Sequence, residues 1–153
     1  MKSVSFPFRK AVIDRIGIIT YRGVIVPVFD QYMNGKEANI NVGNNVPVKA
    51  WIRLLNQTAD DDSPKCMRQD MATIQIQVQV SFNANSGNYE HSELIMDLVL
   101  EELFDGNSGD VIMSTPFYLS CLNKISERNI DFQDNSNRIY MKSVTIQGRV
   151  SQS

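Results

Sequence analysis

Cysteine, histidine and tryptophan are nearly missing from this 153-residue chain. It has two cysteines, Cys66 and Cys121, one histidine, His91, and one tryptophan, Trp51. Two cysteines so far apart give neither a disulfide framework nor a zinc site, and both are read as reduced thiols of a cytosolic protein. One histidine means that any Ser-His-Asp or Cys-His arrangement would have to run through His91. That residue falls in the first turn of a helix between Glu90 and Glu93, where it reads as solvated. No HExxH, GxxxxGK[ST], GxGxxG or CxxC spacing occurs, so no catalytic, metal-binding or cofactor-binding residue is assigned and the chain is expected not to be an enzyme. No apolar stretch approaches the roughly 18 residues of a membrane span, and none near the start resembles a secretion signal. The formal net charge of −2 and pI near 5.3 give no basic field with which to hold nucleic acid by bulk electrostatics.

What the chain has is one very regular stretch. From Thr73 to Phe82, Ile74, Ile76, Val78, Val80 and Phe82 alternate with Thr73, Gln75, Gln77, Gln79 and Ser81. A period of two over ten residues fits a strand and no helix, with one face buried and the other wet. The polar face carries amides and hydroxyls but no charge. It is either solvated or meets another subunit, where uncharged groups cost less to desolvate.

Around this strand the remaining elements follow in order. Phe6, Phe8, Ala11, Val12 and Ile16 recur at helical spacing, so a first helix is expected from a Ser5 cap to Gly17. Ile18–Thr20 and Val24–Phe29 suggest a hairpin across Tyr21-Arg22-Gly23, with Pro27 confining its second strand to an edge or a bulge. A polar, asparagine-rich stretch over about 30–46 reads as a long loop or exposed hairpin. A strand from Val46 to Leu55 comes next, and Thr58–Met67 reads as irregular because of Asp60-Asp61-Asp62-Ser63-Pro64. Asn88–Phe104 is the main helix, its apolar face formed by Leu94, Ile95, Leu98, Val99 and Leu103. Phe117–Leu122 is a short strand, Asn123–Asn137 a polar stretch, and Ile139–Val150 a last strand whose alternation slips near Lys142 and Ser143, as a bulge would cause. The expected architecture is one α+β domain over 1–153, a mainly antiparallel sheet with two helices packed on one face.

Three groups stand out as candidate surfaces. Lys49, Trp51 and Arg53 set an aromatic ring between two cations on one strand face, a pattern for stacking on a base, for a protein interface, or for a tryptophan covered by its own chain. Asp60, Asp61 and Asp62 form a compact acidic run, but adjacent side chains diverge and the spaced ligands of a calcium loop are missing. Glu93, Asp97 and Glu101 form an i,i+4 acidic stripe that costs an isolated helix a few tenths of a kcal/mol per pair unless something offsets it. The stripe reads as a solvated face, as a partner across subunits for Lys49, Arg53 or Arg138, or as a surface that faces a polyanion without holding it.

Val26-Pro27-Val28-Phe29-Asp30, the Val48–Leu55 strand, a loop closing on Lys65-Cys66, the Thr73–Phe82 strand, an amphipathic helix and a final strand together resemble the tail-terminator and tail-completion proteins of tailed bacteriophages. The resemblance spans about residues 5–150. It implies a non-enzymatic ring subunit of the neck or tail, a hexamer ahead of a dodecamer. Such a subunit joins other neck or tail proteins and leaves a lumen through which genome DNA passes without specific binding. It would reside in the virion, with assembly in the host cytoplasm and no membrane partner. An acidic lumen would suit that passage by repelling the DNA backbone, with the Glu93, Asp97, Glu101 stripe and the Asp60–Asp62 run as candidates. The length of the Asp30–Asn45 segment and the polar region after Phe104 leave a neck or stacked-ring variant open. The alternatives are a small α+β module that binds a ligand or peptide in an apolar pocket and, further off, a hydrolase-type enzyme.

Overall fold

The computed structural model describes residues 4–30, 38–41, 47–61, 69–83, 86–105, 111, 113, 115–134 and 136–152. Two helices lie on one face of a mainly antiparallel sheet, as the sequence leads one to expect. Helix α1 runs Ser5–Ile16, and Phe8, Val12 and Ile16, four residues apart, stack as one buried line against the sheet. Ser5 is not its cap. Val4 holds that place without a side-chain hydrogen bond, and the first turn closes from the Phe8 N–H to the Val4 carbonyl at 3.0 Å.

Strands β1 (Thr20–Tyr21) and β2 (Val24–Ile25) form a separate hairpin turning on Arg22 and Gly23. Both have positive φ, 49° and 79°, the two-residue geometry that matches the twist of paired strands. Pro27 then divides what reads in the sequence as one strand. Before it, the Val26 N–H bonds to the Ile19 carbonyl; after it, β3 (Val28–Asp30) leaves the hairpin and pairs in parallel with the main sheet. The Pro27 carbonyl takes the Ile52 N–H at 2.8 Å, so the missing donor of proline costs this junction nothing.

The main sheet has the order β3-β5-β6-β8-β7, with β4 (Ala38–Asn41) also paired to β5 (Pro47–Asp61). Within the polar stretch 30–46, therefore, residues 38–41 form a strand antiparallel to β5. Strand β6 (Gln69–Asn83) is central, as expected of the alternating stretch. Ile74, Ile76, Val78 and Val80 are fully buried under the helices, joined there by Ile52, Leu54, Val144 and Ile146 of the neighbouring strands. The last strand pair is β7 (Phe117–Asp134) and β8 (Asn137–Gln152).

Four further expectations change. Strand β5 does not stop at Leu55. A register shift between Leu55 and Thr58 lets the pairing resume, and Asp60 and Asp61 lie on the strand opposite Met71 and Asp70. The polar stretch after Leu122 is not a loop but the continuation of β7 to Asp134. The slip near Lys142 is no bulge, because β8 pairs with β6 without interruption; the bulges fall in β7 instead, at Ser120 and Ile125. The alternation slips because Ile139 and Met141 are buried on the sheet face away from the helices, whereas Val144 and Ile146 are buried beneath them. The main helix, finally, is α2 (Glu90–Leu100) followed by a π-helical turn over Glu101–Asp105, and its buried line is His91, Ser92, Ile95, Met96 and Val99. Leu94 points outward.

Gly148 marks close packing of α1 on the sheet. A Cβ there would stand 2.7 Å from Leu119 Cδ1 and 2.9 Å from Phe8 Cε2, so the missing side chain is what lets α1 approach β8.

Candidate functional site

The helix-free face of the sheet is drier than the alternation suggests. Gln77 and Ser143, neighbours in register, are buried, and the row is completed by Arg53 on β5 and Arg128 on β7. The amides are partnered: Gln75 Nε2 donates to Ser143 Oγ at 2.7 Å, Gln79 Nε2 to Gln77 Oε1 at 3.0 Å, and Gln147 Nε2 to Thr73 Oγ1 at 3.4 Å. One row along, Trp51 faces Gln79 and Met141 and clusters with Phe29 and Ile139. The indole is only 8% exposed, which favours the reading of a tryptophan covered by its own chain. Its Nε1 and the Nε of Arg53 are nonetheless buried without a hydrogen-bond partner among the described residues. An unmatched buried donor costs about 1–3 kcal/mol, so this corner of the sheet is polar surface held short of full satisfaction. Lys49, two residues before Trp51, is exposed.

The acidic candidates do not share a surface. Asp60 lies in the row of Met71, Arg149 and Cys121, on the helix-free side, whereas Glu93, Asp97 and Glu101 belong to the helical layer on the other. Residue 62 lies outside the described residues, as do Lys65 and Cys66. Asp97 and Glu101 are exposed. Glu93 has partners in its own chain: Asn129 Nδ2 donates to its Oε1 at 3.0 Å, and Lys142 Nζ stands 3.9 Å from it. Lys142 reaches out from under the helix and is shared with Glu127, also at 3.9 Å. The hydrogen bond from Lys124, with Lys142 behind it, holds the Glu127 carboxyl below its ordinary pKa. Arg138 is paired with Asp131, which also accepts from the Tyr89 hydroxyl at 2.7 Å. Burial, then that carboxylate, pushes the Tyr89 phenol up to about 12. The helix end is tied down as well, since Arg15 Nε donates to the Glu102 carbonyl at 2.9 Å, a cation where the helix leaves carbonyls unpaired.

His91 is a correction. It is buried, 6% exposed, with Nδ1 2.7 Å from the Tyr21 hydroxyl and its ring against Phe82. Burial, then the Arg22 charge, holds its pKa below the ordinary value. Its hydrogen-bond partner is a phenol, so the geometry pins the β1–β2 hairpin to α2. Among the described residues, no three His, Cys, Asp or Glu side chains gather where a metal could sit. No described helix is long and apolar enough to cross a membrane.

Sequence reasoning found only the start of the edge strand β7, over Phe117–Leu122, and missed its continuation to Asp134. The strand is 18 residues long and mostly exposed, with Tyr118 at 54% and Ile125 at 53%. The only signal for the continuation is Ile125, Ile130 and Phe132 spaced through the polar run, too sparse for a period-two pattern. A cleft of about 300 Å³ runs beside it, lined by Leu103, Phe104 and Val111 on one side and Leu119, Cys121 and Leu122 on the other. Ser120 adds a hydroxyl to that lining, and no charged side chain among the described residues belongs to it.

No family model matches the chain, and no curated protein matches it. Among solved structures, the fold is similar to that of a chain from the virion of a native gene transfer agent (GTA) particle, with a TM-score of 0.70 over 99% of both chains at 15% identity.

Proposed function

We propose that this protein is a structural component of a phage-like virion, and more specifically a ring subunit of the neck or tail that joins components around the DNA passage. The carrying observation is the likeness of fold along the whole chain, 99% of each partner, to a protein of a virion particle. The surfaces agree with the reading. An edge unpaired among the described residues, donors at Trp51 and Arg53 left unmatched among them, and exposed apolar side chains on β7 are features that subunit contacts use.

In such a ring the passage is lined either by Asp97 on α2 and Glu101 on the π-helical turn after it, or by the helix-free face with Asp60, because the two groups lie on opposite sides of the sheet. Carboxylates on a lumen wall repel a passing polyanion and keep it from sticking. Negative-stain images of the purified protein test the class. Closed rings with a central opening are expected, and isolated globular particles at all concentrations would contradict it. In rings lined by α2, replacing Asp97 and Glu101 by Lys keeps the ring but makes it retard duplex DNA on a gel; unchanged mobility assigns the lumen to the other face.

A further inference from the structure

Resting on the ring reading, we infer that neighbouring subunits join by strand addition, the β7 edge of one copy pairing antiparallel with the outer edge of β5 at Thr58–Asp61 in the next. Four strands span the sheet at this end, β5, β6, β8 and β7, and each is antiparallel to the one before. An even number of alternating strands leaves the two edges running in opposite directions. A second copy brought alongside by rotation about an axis along the strands therefore presents its β5 antiparallel to β7, and the alternation continues across the boundary. An odd count would have forced a parallel joint.

Among the described residues, both edges are open where this requires it. Toward its start β5 is occupied on its outer side, by β4 at Pro47–Ala50 and by β3 at Ile52–Leu54. Helix α1 then takes over, with Arg9 Nη2 donating to the Leu54 carbonyl at 3.0 Å and Gln57 Nε2 donating to the Ser5 carbonyl. From Thr58 to Asp61 no described strand pairs with that side. Strand β7 pairs only with β8 among the described residues. Its bulges at Ser120 and Ile125 bracket Cys121–Lys124, and bulges pin register, so the added strand has a defined place to sit.

Charge favours a copy of the same chain as the occupant. Phe117–Ser126 carries Lys124 and no carboxylate, and Arg149 stands beside Cys121 in register; Leu54–Asp61 carries Asp60 and Asp61 and no cation. The rows also match. Asp60, Met71, Arg149 and Cys121 are in line across one sheet, as are Thr58, Thr73, Gln147 and Asn123. Continued without shift, each row sets the next copy's Asp60 opposite Cys121.

That pair gives the test. Within one chain, three strand spacings of about 4.8 Å each separate Asp60 from Cys121, beyond the roughly 4.4–6.8 Å between Cα atoms that a disulfide spans. A bond between positions 60 and 121 must therefore join two copies. In a Cys66→Ser background, Asp60→Cys oxidised with diamide, which takes up the two thiol hydrogens, is expected to give a ladder of covalent oligomers on a non-reducing gel. Adding Cys121→Ser should abolish it. Rings in the microscope without a ladder would overturn the strand joint and leave the ring reading standing. A ladder that survives Cys121→Ser would mean pairing between two copies of position 60, and would also overturn it. If neither rings nor ladder form, the ring reading itself fails. In wild-type rings, slower amide exchange over residues 121–124 than in dissociated subunits is the parallel expectation, and equal exchange would contradict it.

Discussion

Tyr21 and His91 show how the lone histidine is used. Their hydrogen bond joins a two-stranded hairpin to the main helix, and Tyr21→Phe would leave a buried imidazole nitrogen unmatched. The expected loss is about 1–3 kcal/mol, read as a lower midpoint in urea unfolding. The same site gives a pH dependence. Burial first, and Arg22 second, lower the folded pKa of His91 from 6.5, partly opposed by Glu90, so the unfolded chain takes up a proton more readily than the folded one. Its contribution to stability is therefore complete above that ordinary value and is lost as the pH falls below it toward the folded pKa. His91→Gln should flatten the fall in unfolding midpoint between about pH 7.5 and 5.5; an unaltered slope would show that other groups carry it. At Gly148 the test is steric. Gly148→Val drives a branched side chain into Leu119 and Phe8, and about 1–3 kcal/mol of overpacking should lower Tm without altering the secondary-structure spectrum.

At the scale of elements, β6 carries the fold. Ile76 is fully buried between Leu54 and Val144, so Ile76→Asp places an unpaired carboxylate under the helices and should unfold the protein, a cost above about 4 kcal/mol checked by circular dichroism. Val78 is a poorer probe because Lys142 is its neighbour in register. This strand was legible in the sequence because one face is buried and the other is polar, and such a strand writes a period of two. The α+β class, both helices and the central place of β6 followed from that kind of pattern. The continuation of strand β7 was illegible for the converse reason. An edge strand exposed on both faces has no inside to mark, so Asn123–Asp134 reads as loop. The end of β5 was hidden in the same way, since three acids in a row suggest a solvated turn, whereas Asp60 and Asp61 only require that their edge of the sheet be open. His91 was misjudged because its acidic neighbours, not the Tyr21 side chain seventy positions earlier, are what the local sequence displays.

For the whole molecule, the candidate surfaces singled out from sequence separate into two sides of one sheet, and the edges between those sides are what the sequence left unmarked. Among the described residues, strand β7 at one edge and Thr58–Asp61 at the other leave the sheet open at both ends, and a sheet open in this way either aggregates or is closed by pairing with copies of itself. The most direct measurement is the solution mass of the purified protein by light scattering across a concentration series. A single closed oligomer, unchanged in mass on dilution, is the predicted result. A monomer at every concentration would contradict a ring built from this chain alone.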